Sequence, residues 1–112
     1  MRQTGISDKE LRFAVEEMSN GLIDADLGKG ILKKRIPLDS RGKSGGARTI
    51  IATNKKSRWV FLLGFKKNER DNISETEKEA LQEVASLFLH SSDSELDYAI
   101  SRNELMEVKP YE

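Results

Sequence analysis

Ile31-Leu32-Lys33-Lys34-Arg35-Ile36-Pro37-Leu38, Ala47-Arg48-Thr49-Ile50-Ile51-Ala52-Thr53 and Arg58-Trp59-Val60-Phe61-Leu62-Leu63-Gly64-Phe65 follow one another within the central third of the chain. Each run is short and rich in aliphatic, β-branched or aromatic residues, so each predicts a strand. Pro37 marks the end of the first. Asp39–Gly46 is a Gly- and Ser-rich loop, and Asn54-Lys55-Lys56-Ser57 is a polar hairpin connection. The third run is apolar enough for a central strand. Lys66–Ile73 is a second polar loop.

Outward from these strands the pattern turns helical. Ser7 with Glu10 forms a capping box. Leu11, Ala14, Val15, Met18 and Leu22 then repeat at helical spacing. A first helix is expected from about Asp8 to Asn20, ended by Gly21, with a polar loop over Asp24–Gly30. Ser74 with Glu77 opens a second helix with an apolar stripe of Leu81, Val84, Ala85 and Phe88. Its first-turn acids, Glu75 and Glu77, suit the positive end of the helix dipole. Ser92 with Glu95 caps a third, to about Arg102. Leu105–Val108 alternates weakly and predicts a short terminal strand. The expectation is a single domain over residues 1–112 of α+β class. It has a small antiparallel sheet of three to four strands packed against two to three helices.

Charge is segregated along this 112-residue chain. Residues 29–70 carry thirteen Lys and Arg against two acids, +11; residues 71–112 stand at −8 and residues 1–28 at −3. A net charge of zero therefore conceals a basic middle. Such a field points to a polyanion, most plausibly nucleic acid. A solvated basic surface balancing acidic helices is the competing reading. There is no Cys, and His90 is the single histidine. Disulfides and thiolate metal sites are excluded, and Ser–His or Cys–His nucleophilic pairs and His-based metal sites are disfavoured. Acid–base chemistry falls to Lys, Arg, Glu, Asp or Tyr, with no cofactor or metal expected. No apolar run approaches the ~20 residues of a membrane helix, and residues 1–5 lack the apolar core of a signal peptide. A cytoplasmic setting without a membrane partner is expected.

Alternation places Lys33 and Arg35 on one face of their strand and Lys34 on the other. If the first two strands pair antiparallel, Arg48 comes near Lys33 or Arg35, and Lys67 and Arg70 can close the patch from the end of the third strand. Such a cluster can bind a phosphodiester. Like charges also disfavour the charged form of a member, which lets a Lys act as a base. The bland alternative is a set of separately solvated cations. Arg41-Gly42-Lys43-Ser44-Gly45-Gly46 looks like a phosphate-binding loop. A P-loop needs a Gly five positions before the Gly-Lys-Ser triplet and a helix after it. Here Pro37 holds that position and a strand follows, so the segment reads as a basic hairpin loop. Trp59 and Phe61 read as core, Tyr98 and Tyr111 as packing or terminal residues, His90 as a helix-end residue, and Glu69 as an ion-pair partner for Arg70.

The chain resembles the RelE/ParE-like bacterial toxins, in particular the RelE-type branch whose partners are helix-turn-helix antitoxins. The similar stretches are Ile6-Ser7-Asp8, Asp26–Ile36, Gly42–Ile51 and Gly64–Ile73. Gly-Lys-Ser-Gly-Gly-x-Arg at 42–48 together with Lys-Asn-Glu-Arg-Asp-Asn-Ile at 67–73 is the more specific part. The resemblance implies an mRNA endoribonuclease acting in the ribosomal A site, with cleavage by the RNA's own 2′-OH. It implies Lys33 and Arg35 as general base and phosphate clamp, Arg48 as stabiliser of the phosphorane, and Lys67 as leaving-group acid or second clamp. Lys34, Arg41, Lys43, Lys66 and Arg70 are expected to bind RNA. Two departures stand out. The family's base-stacking Tyr has Ile73 at its nearest position here. Relatives also carry a strand before the first helix, where this chain has Met1–Ile6. A sheet lacking that strand would expose an edge, to be relieved by self-association or by the 105–108 segment. A non-catalytic binder is the alternative: a gyrase-poisoning ParE-like toxin or an inactive nucleic-acid-binding paralogue.

Overall fold

The computed structural model describes residues 7–37, 46–66 and 72–107. Seven elements follow in order: α1 (Asp8–Ser19), β1 (Ala25–Gly28), β2 (Ile31–Ile36), β3 (Ala47–Thr53), β4 (Trp59–Lys66), α2 (Glu75–His90) and α3 (Asp93–Ser101). The four strands form one antiparallel sheet in the order β1-β2-β3-β4. This is the expected α+β class.

All three capping boxes form. In each, the N-cap serine accepts from the backbone N–H three residues on, and the glutamate there accepts from the serine N–H. α1 ends where Gly21 turns left-handed at φ 91°, a conformation that costs glycine nothing. Arg58 ties the helical corner to the sheet. Its guanidinium donates to the Phe88 and Ser91 carbonyls at 2.8 and 2.6 Å and pairs with Asp93 at 2.8 Å. The C-terminus of α2 is thereby satisfied by a charged donor.

Helices cover both faces of the sheet. Leu11, Ala14 and Met18 of α1 pack on Leu32, Ile36, Ala47 and Ile51, with Trp59 and Phe61 at the margin. Ala85 of α2 packs on the opposite face against Ile31, Ile50 and Ala52, with Leu81, Leu89 and Ile73 around it. A bulge between Ile50 and Ile51 shifts the β3–β4 register, and both Leu62 and Leu63 join the α2-side core. Gly30 fixes how closely α2 approaches: a Cβ there would lie 2.8 Å from Leu89 Cδ1, at a φ of 88°.

Four expectations change. The Asp24–Gly30 stretch is not wholly loop, because Ala25–Gly28 is edge strand β1. Its short, Gly-flanked sequence lacks a strand's alternation, and pairing with β2 alone makes it one. Leu105–Glu107 forms no strand. The inward stripe of α2 is Leu81, Ala85 and Leu89, whereas Val84 is 37% exposed. Tyr98 is exposed rather than packed, with Arg102 over its ring. Met1–Ile6, where the lead-in strand was sought, lies outside the described residues, as do Val108 and Tyr111.

Candidate nucleic-acid interface

The register of β2 on β3 builds the site. Arg35 is directly opposite Arg48, Lys33 opposite Ile50, and Ile31 opposite Ala52. Directly paired residues share a face. Since Ile31, Ile50 and Ala52 belong to the α2-side core, Lys33, Arg35 and Arg48 stand on that same face, nearer the sheet end where β2 leaves and β3 enters. Opposed Cβ atoms lie about 5 Å apart, and residues i and i+2 of a strand about 7 Å. Three cationic side chains thus spring from one small area.

Side-chain exposure grades along this face. Ile31 is fully buried under α2, Lys33 is half-buried, and Arg35 is exposed. Arg48 is half-buried and has an interaction partner. Phe65, 5% exposed, is opposite Arg48 on β4 and gives that end an apolar floor. Like charges placed directly across a strand pair destabilise a sheet. The Arg35–Arg48 juxtaposition is therefore unfavourable in itself, and Arg48 has an interaction partner within the fold.

Lys34, between Lys33 and Arg35 in sequence, is on the other face. It is 8% exposed. Its ammonium pairs with Glu17 Oε1 at 3.0 Å and donates to the Leu22 carbonyl at 2.9 Å. The Thr49 hydroxyl donates to the Lys34 carbonyl at 2.8 Å. The Lys34 charge is thus met by α1 and the segment after it. Asp24 continues this bracing. Its backbone N–H donates to the Lys33 carbonyl at 3.0 Å, and its carboxylate accepts the Arg35 backbone N–H. Neither Glu17 nor Asp24 carried a signal in the sequence, because one lies on a helix and the other in an apparent loop.

Lys66 pairs with Ala47 and so belongs to the α1-facing side, at the same sheet end. It too has an interaction partner. Arg41, Lys43, Lys67 and Arg70 lie outside the described residues, as does Glu69. Ile73, the nearest match to a stacking Tyr, packs against the core beneath α2. His90 is at the far end of α2, its Nδ1 2.8 Å from the Ser86 carbonyl oxygen. A groove of about 770 Å³ runs between α1, β4 and α3, with Trp59 and Phe61 in its wall. These aromatics line the groove on the α1 side and do not accompany the cations. Among the described residues no group of His, Asp or Glu could hold a metal ion, and no helix is long and apolar enough to cross a membrane.

An antiparallel sheet flanked by helices, with Lys33, Arg35 and Arg48 together at one end of its α2-side face, defines a small α+β protein. The family comparison names the group: residues 1–108 match the model of the RelE toxin of the RelE/RelB toxin–antitoxin system, and the chain belongs to that family. It is therefore a toxin with an antitoxin partner, in a family whose members are generally mRNA endoribonucleases. Neither the curated proteins nor the solved structures yielded a match.

Proposed function

We propose that this protein cleaves mRNA in the ribosomal A site, using the Lys33–Arg35–Arg48 face as its phosphate-handling surface. The observation that carries the reading is the direct Arg35–Arg48 pairing with Lys33 on the same face of the sheet. Ribosome dependence rests on family membership alone. In the reaction, the 2′-oxygen attacks the adjacent phosphorus as its proton passes to a base. The P–O5′ bond then breaks, leaving a 2′,3′-cyclic phosphate and a 5′-hydroxyl. Arg stays protonated at all working pH values, so Arg35 serves as clamp and Lys33 is assigned the role of base. Arg48 stabilises charge on the phosphorane. Lys67 is assigned the leaving-group proton. The protein partner is proposed to be a helix-turn-helix antitoxin.

The alternative of a non-catalytic binder is favoured by one observation: the position nearest the family's stacking Tyr is Ile73, a half-buried aliphatic side chain packed against the α2-side core, with no ring to stack on a base. The deciding experiment is cleavage mapping on ribosomes programmed with a defined mRNA. New 5′-hydroxyl ends within A-site codons support the nuclease. Intact mRNA with ribosome binding retained supports the binder.

A further inference from the structure

β1 supports only part of β2. Its last partner pair toward the cationic end is Ala25 with Lys33. Arg35 is two residues further on, where no β1 residue is left to pair with it. There the chain before β1 takes over, with two backbone groups and one side chain. Leu22 accepts from the Lys34 ammonium, the Asp24 N–H donates to the Lys33 carbonyl, and the Asp24 carboxylate accepts the Arg35 N–H. The three bonds fall on three consecutive residues of β2. Of the side chains involved, Lys34 is also fixed by Glu17, so its role is shared. Of that segment, Asp24 alone engages both Lys33 and Arg35, the two cations that β2 places on the α2-side face.

We infer that Asp24 is a positioning residue: its carboxylate replaces the missing strand and sets the backbone from which Lys33 and Arg35 present their cations. Resting on the proposed cleavage reaction, this assigns a role to an acid on a surface that otherwise selects for cations. A carboxylate beside a phosphate-binding face repels the ligand, so its placement there calls for a compensating gain. Holding two cations in register supplies it, because displacement of reacting groups by about 1 Å can cost about 100-fold in rate. The bond needs an acceptor and not a charge, since an amide oxygen serves the Arg35 N–H as a carboxylate does.

The test compares Asp24→Ala with Asp24→Asn. Two readouts are used: single-turnover cleavage on programmed ribosomes, and amide hydrogen exchange at Arg35 in the free protein. In Asp24→Ala the Arg35 amide should exchange faster. The cleavage rate at saturating ribosomes should fall by at least about tenfold, with the ribosome concentration for half-saturation little changed. Asp24→Asn should restore slow exchange and most of the rate. Wild-type cleavage by Asp24→Ala overturns the inference. So does an Asp24→Asn variant as slow as Asp24→Ala despite protected exchange, which would assign Asp24 a role through its charge. If the wild type itself cleaves nothing, the nuclease reading falls. The exchange measurement then judges the brace separately: unchanged exchange at Arg35 in Asp24→Ala overturns it, and faster exchange sustains it.

Discussion

The α2 face of the sheet has two ends built from the same strands. At one, Ile31, Ile50 and Ala52 are fully buried beneath Ala85 and its neighbours. At the other, two to four residues along, Lys33, Arg35 and Arg48 carry charge on the same face. Backbone pairing is continuous across both, so hydrogen bonding does not distinguish them. Side-chain chemistry does. The apolar end gains by excluding water, about 25 cal/mol per Å² of apolar surface. The cationic end would lose by burial without counter-charges. One end holds the fold together, and the other is the end proposed above to meet an anion.

That contrast can be broken by a pair of substitutions. Ile50→Ala removes a fully buried side chain and should lower unfolding free energy by about 2–5 kcal/mol. Molecules that remain folded should cleave at the wild-type rate. Arg48→Ala should do the reverse. Cleavage should slow by about 100- to 1000-fold, with unfolding free energy changed by less than about 1 kcal/mol. Denaturant titration and cleavage kinetics on the two variants check both halves. If both substitutions act mainly on stability, Arg48 is structural.

The two neighbours on β2 sharpen it further. Lys34→Ala leaves Glu17 and the Leu22 carbonyl without their partner. The expected loss is about 2 kcal/mol of stability, tempered by the partial exposure of Glu17. RNA affinity, measured where the variant is folded, should hardly change. A fall in RNA affinity matching that of Lys33→Ala would place the Lys34 ammonium on the RNA.

Ionic strength addresses the open end alone. With about 4 phosphates neutralised, the log–log slope of binding against salt should be near −3. A flat response would make the cationic end a merely solvated surface.

The smallest effect belongs to Asp26. The Gly28 backbone N–H, and then Lys55 at 3.1 Å, hold its carboxyl below the ordinary carboxylate value. A depressed folded-state value adds stability above the unfolded value of about 3.9. That increment is lost as pH falls through the folded value. Asp26→Asn should therefore cost a few tenths of a kcal/mol at neutral pH, since the pair is exposed. The difference from wild type should vanish in acid. A difference that persists there would show that Asp26 acts through something other than its charge.

Local signals carried the helices well, because a capping box is written entirely within four residues. Ser7–Glu10, Ser74–Glu77 and Ser92–Glu95 each specify a helix start without help from the rest of the chain. The β3 run was equally legible from its β-branched residues, and period-2 alternation separated Lys34 from Lys33 and Arg35. β1 was hidden because Ala25-Asp26-Leu27-Gly28 has no strand signature until β2 lies beside it. The strand was thus fixed by pairing, not by propensity. Helical spacing put Leu81, Val84, Ala85 and Phe88 on the inward stripe of α2, and packing turned Leu89 inward and Val84 outward.

For the candidate site, residue order alone settled that a basic middle exists and that Lys33 and Arg35 share a face. It did not settle which face, or what stands across from them. Register did: a slip of one residue would have placed Arg48 under α1 and Ala47 across from Arg35. Only the folded sheet brings Arg35 and Arg48 together, and only α1 and the segment after it reveal that Lys34 is met by Glu17 and that Asp24 holds the strand. Those contacts join residues that are 11 to 17 positions apart. Their geometry depends on the packing of α1 against β2, which no local pattern encodes.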